Sequence, residues 1–310
     1  MTVRTAAPRD AIAIDVGGRS VRVTHPDRVV WPATGTTKAE LVGYLIDVAP
    51  VLLPNLRDRA TMLWRFPEGV DGPGWFQAQC RSRPAWVATH RVAGARGAAL
   101  DYCVIDEPAT LVWLANLGTI ELHPHGWLTT DPATPTAVVF DLDPGPPASI
   151  REAAGVALDV ADVLRRDGLT PVVKTSGGLG LHVAAPIVPG PAFGDAKAYA
   201  RAVAEALTAK RPGAVIDRSD RAARRGRVYV DWIQNDRNRQ LIAAYSPRAT
   251  PIPNVSTPLA WDEVDGLATG VIREIRPTFA EVVDRIATVG DLWMTAGTPR
   301  APLPRSLPRA

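Results

Sequence analysis

The chain has 310 residues, of which 46% are hydrophobic, and a mean hydropathy of -0.01, which excludes a mainly disordered chain and a bundle of membrane helices. Its net charge of +3 is mildly basic and does not by itself establish a polyanionic partner. The two cysteines, Cys80 and Cys103, are too few for a disulfide framework and lack zinc-ligand spacing, so we expect buried free thiols.

The N-terminal third gives mixed signals. Residues 1–20 carry only a weak strand signal and lack the apolar stretch of a signal peptide, so we expect a cytoplasmic protein. Residues 36–56 have apolar side chains at helical spacing after a threonine cap, with interruptions at Pro50 and Pro54. Residues 109–122 also favour a helix, although their Val, Thr and Ile residues equally allow a strand.

The second half is more regular, and no internal repeat is present. Its pattern first predicts a strand at 136–143, a helix at 149–168 closed by Gly168, and two strands joined by a glycine-rich turn at 170–187. A helix at 194–211, strands at 227–235 and 240–246, and a closing helix at 279–293 follow. Neighbouring strand pairs favour antiparallel pairing, which predicts an α+β sheet with helices packed on one face. Residues 295–310 are proline-rich and basic, and we expect a disordered tail there.

The stretch VVFDLDPG, residues 138–145, ends a strand built for the interior with two acids. Residues i and i+2 of a strand share a face, so Asp141 and Asp143 project side by side while Phe140 and Leu142 face the other way. Two carboxylates at this distance repel each other unless a cation lies between them, and hard oxygen ligands suit Mg²⁺ or Mn²⁺. A solvated strand end before an Asp-Pro-Gly turn remains the alternative.

A third acid lies in the segment 227–235, whose alternation places Tyr229 and Asp231 on one face and apolar residues on the other. If this strand pairs with the one that carries Asp141 and Asp143, three carboxylates converge on one face of the sheet. That is the usual arrangement for two divalent ions in phosphoryl transfer. Pairing of Asp231 with a nearby arginine is the alternative.

Two further segments are suited to an anion. The glycines of KTSGGLGLHV, residues 174–183, permit a turn whose backbone N–H groups can face a phosphate, with Ser176 and His182 as additional donors. Such a turn alone is weak evidence, and it is not a Walker A loop. Residues 217–227 contain five arginines, whose forked side chains match phosphate geometry but also suit a solvated charged surface.

Taken in order, the motifs VVFDLDPG, TSGGLGLHV, VYVDWIQN and IAAYSPRA resemble the polymerase domain of bacterial DNA ligase D, a branch of the archaeo-eukaryotic primase superfamily. The N-terminal PDRVVWPATGTTK and the segment IELHPHGW are similar to the same family, so the resemblance runs from about Thr24 to about Trp293. It implies an RRM-like antiparallel or mixed β-sheet core with packed helices and an N-terminal accessory subdomain. The implied catalytic domain is 21–294, with DNA-end and template contacts in 21–135 and the metal and nucleotide core in 136–250.

The resemblance also implies roles for single residues. The metal-binding catalytic acids, which hold two Mn²⁺ or Mg²⁺ ions, match Asp141, Asp143 and Asp231. Positions near the incoming nucleotide match Ser176, His182, Arg224, Gln234, Arg239 and Arg248. The template histidine and the two residues that hold a DNA 5′-phosphate match His123, Arg28 and Lys38. Judged from the residues alone, His123 and His182 would be structural histidines.

Two positions depart from the family pattern. Leu179 stands where these proteins commonly carry a lysine in the glycine-rich turn, so one cation near the triphosphate is missing. Arg239 stands where lysine is common, which keeps the charge and changes its geometry.

The function implied is template-directed nucleotidyl transfer, in which a primer 3′-hydroxyl attacks the α-phosphorus of an NTP or dNTP. In the family this activity fills gaps and extends ends in non-homologous end joining or excision repair, often with ribonucleotides. The partners implied are gapped or broken duplex DNA with a 5′-phosphate, NTP or dNTP, a separate ligase and a Ku-type end-binding protein, in the cytoplasm at the nucleoid and with no membrane.

No Lys-x-Asp-Gly ligase nucleophile is present, which predicts a stand-alone polymerase module. A primase that starts chains de novo would use the same three acids. A non-catalytic DNA-end-binding module is disfavoured, because converging carboxylates repel DNA.

Overall fold

The structure is a computed structural model that describes residues 10–93, 98–294 and 297–304. Its first half contains the strands β1 (Ala11–Val16), β2 (Arg19–Thr24), β3 (Val29–Trp31), β4 (Thr36–Thr37), β5 (Ala60–Arg65), β6 (Trp75–Gln77), β7 (Thr89–Ala93), β8 (Ala99–Val104) and β9 (Thr119–Pro124). The helices of this half are α1 (Lys38–Asp47), α2 (Ala49–Leu56) and α3 (Pro108–Asn116).

The second half contains the strands β10 (Ala137–Pro144), β11 (Val172–Thr175), β12 (Leu181–Pro186), β13 (Val215–Ile216), β14 (Val228–Asp231), β15 (Pro247–Arg248), β16 (Asn254–Val255) and β17 (Pro258–Leu259). Its helices are α4 (Ile150–Arg166), α5 (Phe193–Lys210), α6 (Trp261–Thr269) and α7 (Phe279–Val289), with a 3-10 turn at Trp232–Gln234.

A six-stranded sheet organises the second half, in the order β13-β14-β10-β12-β11-β17. Its pairs are antiparallel except β13 with β14. On one face, Val138, Phe140 and Leu142 of β10 are fully buried in a core that α4, α5 and α6 complete. The expected α+β sheet with helices on one face is therefore confirmed.

Helix α4 follows its sequence signals closely. Ser149 and Glu152 form a capping box at its start, and Gly168, at a φ of 79°, follows its C-cap residue, Asp167. The alternating small and branched apolar residues of this helix then cover the buried face of the sheet.

The first half forms a separate sheet, and second-half residues such as Tyr245, Val282 and Trp293 complete its core. Strands β6, β5, β8 and β7 are neighbours in that order, and β9 also pairs with β5 along residues 61–65. Residues 109–122, which allowed a helix or a strand, form both: α3 ends before Gly118 and β9 follows. Within the described ranges no single helix is long and apolar enough to cross a membrane. Helices α1 and α2 together reach the length and apolar composition of a membrane span, but they meet at 79° and contribute buried residues to this core.

The expectation of free thiols is wrong, because Cys80 and Cys103 form a disulfide. Both residues are buried, as expected. The backbone N–H of Cys80 donates to the carbonyl of Asp101 at 2.7 Å, which holds the preceding loop alongside β8 and brings the two Cα atoms within 5.1 Å. The spacing of the two cysteines in the sequence does not predict this approach of a loop to a strand.

Two predicted strands differ from the structure. Residues 240–246 form no strand beyond an isolated bridge from Gln240 to His125. The N–H groups of Ala243 and Tyr245 donate to different segments, and Tyr245 takes a φ of 67°, which no strand accommodates. The segment 227–235 is a strand only to Asp231, because its carboxylate accepts the N–H of Ile233 and starts the 3-10 turn.

Part of the expected disordered tail packs against the domain. Ala301 forms a parallel bridge with Ile187, and its carbonyl accepts the N–H of Val188 at 3.0 Å. Leu303 packs against the core beneath the six-stranded sheet. The expectation of disorder is therefore wrong for residues 297–304, which are ordered against the domain. Residues 305–310 lie outside the described part of the chain.

Candidate active site

Three acids meet on the face of the six-stranded sheet that its helices leave open. Asp141 of β10 stands directly opposite Asp231 of β14, and Asp143 stands opposite Tyr229. Directly opposed residues and residues two apart share a face, so the three carboxylates project to the same side. The pairing on which the third acid depended is thus present.

The acids Asp141 and Asp143 line a cleft with a volume of about 750 Å³. Six of the residues that the sequence assigned to nucleotide or template also line this cleft: His123, Ser176, His182, Arg224, Gln234 and Arg248. Residues from both halves of the chain therefore meet there, since His123 belongs to β9 and the others follow β10.

Burial and mutual repulsion make the acids unusually basic. Burial raises the pKa of Asp141 to about 6. Burial also raises the pKa values of Asp143 and Asp231, and repulsion from Asp141 adds to both shifts. Carboxylates that are grouped to bind cations repel one another when no cation is present, and this repulsion favours their neutral forms.

The oxygens of Asp141 are poorly satisfied. Its Oδ1 atom is buried and has no hydrogen-bond partner among the described residues, although Nε2 of His182 lies 3.3 Å away in an unsuitable orientation. The Oδ2 atoms of Asp141 and Asp231 share a long contact of 3.5 Å with the amide nitrogen of Gln234. Hard oxygen donors with lone pairs to spare fit Mg²⁺ or Mn²⁺, although no three His, Cys, Asp or Glu side chains of the described ranges already form a metal cage.

The turn after β10 brings an arginine to the acids. A Cβ atom at Gly145 would lie 2.1 Å from the carbonyl oxygen of Arg224, so only glycine allows this approach. The guanidinium of Arg224 then lies 3.3 Å from the carboxylate of Asp143 and 4.7 Å from the ring centre of Tyr229. Arg224 is thereby placed beside Asp143 at the cleft wall.

The glycine-rich turn between β11 and β12 is organised by Ser176. Its hydroxyl oxygen accepts the backbone N–H groups of Gly178 and Gly180, at 3.1 and 3.3 Å. Those two donors are therefore already used within the turn, and the hydroxyl proton of Ser176 remains as the donor toward the cleft. Leu179, at the position of the missing lysine, is 58% exposed at the cleft wall.

A buried lysine that the sequence reading missed stands behind His182. In successive strands, Asp231, Asp141, His182 and Lys174 are directly opposed, which makes one row across the sheet. The Nζ atom of Lys174 lies 2.8 Å from Nδ1 of His182, and burial holds the pKa values of both side chains well below their ordinary values. The hairpin register, which places Lys174 opposite His182 across the turn, was the signal available for it.

A buried glutamate was missed in the same way. Glu121 accepts from Nε2 of His123 at 2.9 Å, from Nη1 of Arg248 at 3.0 Å and from the N–H of Ala249 at 2.9 Å. It shares a face of β9 with His123, two residues away. The Nε atom of Arg248 is buried without a partner in the described part of the chain, which leaves a donor for a ligand.

Four assigned residues do not line the cleft. Asp231 lies on the same face of the sheet, opposite Asp141, and the other three lie farther away. Arg239 is exposed and lines an adjoining cavity of about 150 Å³, which shares Gln234 with the cleft. Arg28 and Lys38 lie together in the N-terminal half, where the N–H of Lys38 donates to the carbonyl of Arg28 at 2.8 Å. Lys38 is 6% exposed, and its ammonium donates to the carbonyls of Thr24 and Asn116, at 2.8 and 3.3 Å.

Comparison with known proteins decides the family. Residues 37–293 match the family described as "LigD, primase-polymerase domain". The chain belongs to the LigD primase-polymerase domain family. These domains are DNA-dependent nucleotidyltransferases that generally use divalent metal ions, so the expected enzyme class is confirmed.

Similar proteins agree with this assignment. The multifunctional non-homologous end joining protein LigD of Mycobacterium bovis is 36% identical over 281 residues, which cover 88% of this chain and 36% of that protein. LigD of Pseudomonas aeruginosa is 30% identical over 275 residues, which cover 86% of this chain and 32% of that protein. The chain thus spans about a third of the length of these relatives.

A solved structure supports the same fold. The polymerase domain from Mycobacterium tuberculosis ligase D, in complex with DNA, superposes with a TM-score of 0.82 at 34% identity, covering 88% of this chain and 96% of that domain. The α+β architecture is accordingly that of the archaeo-eukaryotic primase fold, as expected from the motifs.

Proposed function

We propose that this domain extends a primer strand on a DNA template, with Asp141, Asp143 and Asp231 as ligands of two divalent ions. The observation that carries the proposal is the direct opposition of Asp141 and Asp231 beside Asp143, with Oδ1 of Asp141 buried and without a partner. Bound ions would activate the primer hydroxyl and stabilise the pyrophosphate leaving group. Mn²⁺ and Mg²⁺ both suit the oxygen donors.

The side chains around the acids are suited to a nucleoside triphosphate. The free hydroxyl proton of Ser176, the ring N–H of His182 and the guanidinium groups of Arg224 and Arg248 offer donors for phosphate oxygens at the cleft wall. Gln234 reaches two of the acids and can hold their relative position. In this proposal these side chains bind and orient the nucleotide, and Arg239 reaches it from the adjoining cavity.

The DNA contacts are proposed in the N-terminal half. In this proposal Arg28 and the start of α1 at Lys38, which are joined by a backbone hydrogen bond, form a cationic site for a recessed 5′-phosphate. His123 is proposed to lie near the templating base, held by Glu121. Because the curated relatives are end-joining proteins, we assign the activity to gap filling and end extension beside a separate ligase and a Ku-type protein, with ribonucleotides preferred.

Primer extension on a gapped duplex tests this function directly. We expect Mn²⁺-dependent addition of templated nucleotides, with NTPs used more efficiently than dNTPs. The matched substrates are an open primer-template and an unprimed single strand. Products on the unprimed strand alone would favour a primase, and binding without extension on every substrate would contradict the assignment.

A further inference from the structure

The row of side chains across the sheet ends in a lysine that does not line the cleft. Lys174 is 1% exposed and contacts His182 and Ser256. We propose that Lys174 is a positioning residue that sets which ring nitrogen of His182 carries the proton. Its effect on nucleotide binding rests on the proposed function, whereas its effect on the ring does not.

The direction of each hydrogen bond follows from the partners. The hydroxyl of Ser256 donates to the carbonyl of Thr175 at 2.8 Å, so its oxygen accepts from Nζ of Lys174 at 2.5 Å. An ammonium has no lone pair and can only donate, whereas a neutral amine could also accept from a protonated Nδ1. We take Lys174 as charged, the state that the nearby Asp141 carboxylate favours, so it donates to Ser256 and to Nδ1 of His182 at once. Nδ1 then accepts, and the ring proton of a neutral imidazole is confined to Nε2.

This tautomer matters because Nε2 faces the acid cleft, 3.3 Å from Oδ1 of Asp141. With its proton there, His182 presents a donor to a phosphate oxygen that enters beside the acids. The other tautomer would present a lone pair to an anion, which costs the hydrogen bond and adds repulsion. Lys174 thus acts on the nucleotide through His182 and does not touch it.

The surroundings show that this lysine is held in place. A buried amine is costly unless its protons have acceptors, and two acceptors are supplied here. The Nζ atom also lies 5.6 Å from the ring centre of Trp293, within reach of a cation–π contact. Since these contacts point inward, Lys174 cannot replace the cation that is missing at Leu179.

The tautomer can be read directly from the ring nitrogens. The full chain, labelled with ¹⁵N-histidine, has five histidines, and a His182→Gln variant identifies the signal of interest in long-range ¹H–¹⁵N spectra. We expect Nδ1 of His182 to be unprotonated in the wild type and to become partly protonated in Lys174→Met. Ser256→Ala, which removes the other acceptor of Lys174, should leave the His182 tautomer unchanged.

A proton on Nδ1 in the wild type would overturn the proposal, and that measurement does not depend on whether Lys174→Met folds. A Lys174→Met protein with an unchanged tautomer would overturn it as well.

Kinetics supply the functional half of the test. Lys174→Met should raise the nucleotide KM about tenfold, as expected for one charge-assisted hydrogen bond, with a smaller effect on kcat. In a His182→Ala background the same substitution should add almost nothing, because the two residues act as one unit. Equal effects of Lys174→Met in both backgrounds would contradict the inference. A wild type that extends no primer would instead contradict the proposed function, and the nitrogen spectra would still decide the role of Lys174.

Discussion

At the scale of single residues, Asp141 combines the charge of a carboxylate with burial in the protein. Burial raises the pKa of Asp141 to about 6. At pH 7 the metal-free protein therefore holds an ionised carboxylate in buried surroundings that disfavour its charge. Since the folded pKa exceeds the ordinary value of 3.8, the destabilisation is full above about pH 6 and disappears as the pH falls toward 3.8. Such a cost at a functional site is commonly retained for activity.

We therefore expect Asp141→Asn to stabilise the metal-free protein at pH 7.5 by about 1 to 3 kcal/mol, and by much less at pH 4.5. Thermal unfolding in EDTA measures this, with Asp71→Asn, an exposed acid, as the matched control. A variant less stable than the wild type at pH 7.5 would contradict the account of a strained acid.

Leu179 offers a gain of function at one residue. It is 58% exposed in the turn beside Ser176 and Arg248, so a lysine there could reach a triphosphate without a burial cost. Leu179→Lys should lower the nucleotide KM about fivefold, equivalent to about 1 kcal/mol for a partly exposed contact. Leu179→Gln, which has no charge, serves as the control. A KM that is unchanged or raised would show that the added ammonium points away from the nucleotide.

At the scale of elements, the alternation of apolar and polar residues along each strand predicted which acids share a face of the sheet. The shared face of Asp141 and Asp143 and the pairing with the Asp231 strand are both present. Lys174 was not assigned, because its position opposite His182 depends on the cross-strand register. Glu121 was not assigned, because its role depends on burial and on contacts with Arg248 and Ala249, which are distant in the sequence. The disulfide between Cys80 and Cys103 was missed for the same reason, since a loop brings its two residues together.

Irregular segments were the other failure. Residues 240–246 look like a strand because apolar residues dominate, yet their backbone serves several partners in turn. The tail composition indicated disorder, although one backbone hydrogen bond and the contact of Leu303 hold 297–304 in place. Short ordered stretches of this kind depend on a preformed surface, which no local pattern encodes.

This ordered tail predicts a stability difference between two truncations. A chain that ends at residue 304 keeps the bridge of Ala301 and the packing of Leu303, whereas a chain that ends at residue 296 loses both. We expect the shorter chain to have a free energy of unfolding lower by about 1 to 3 kcal/mol, from the lost apolar contact and hydrogen bond. Urea denaturation of both chains measures the difference. Equal stability would restore the expectation of a disordered tail.

At the scale of the whole molecule, the two halves divide the proposed work. The acids lie on the six-stranded sheet, and the nucleotide residues come from its strands, from the turns beside it and from β15. Strand β9 contributes His123 from the first half, and Arg28 with Lys38 lies apart from the cleft. Contacts to a phosphate position DNA without reading its sequence, and they weaken as salt rises because counterions are released. End recognition should therefore be separable from catalysis.

We expect the wild type to extend a gap with a 5′-phosphate better than the same gap with a 5′-hydroxyl, and this preference to fall with salt. An Arg28→Ala, Lys38→Met double variant should lose the preference and still extend an open primer-template. Arg57→Ala, which removes an exposed cation of the same half, is the control. Thermal unfolding checks that loss of the Lys38 contacts has not unfolded the domain. Equal extension of both gaps by the wild type would remove the case for end recognition.

The central claim is that three carboxylates on one face of the sheet form a metal-dependent site for nucleotidyl transfer, and Asp231 is its most direct test. Asp231→Asn keeps the size of the side chain and removes the charge opposite Asp141. The measurement is primer extension in Mn²⁺ on a gapped duplex, with binding of the same DNA measured in parallel. The account predicts that Asp231→Asn binds the gap as the wild type does and extends it at least about a hundredfold more slowly. Extension at a near-normal rate by Asp231→Asn would contradict it.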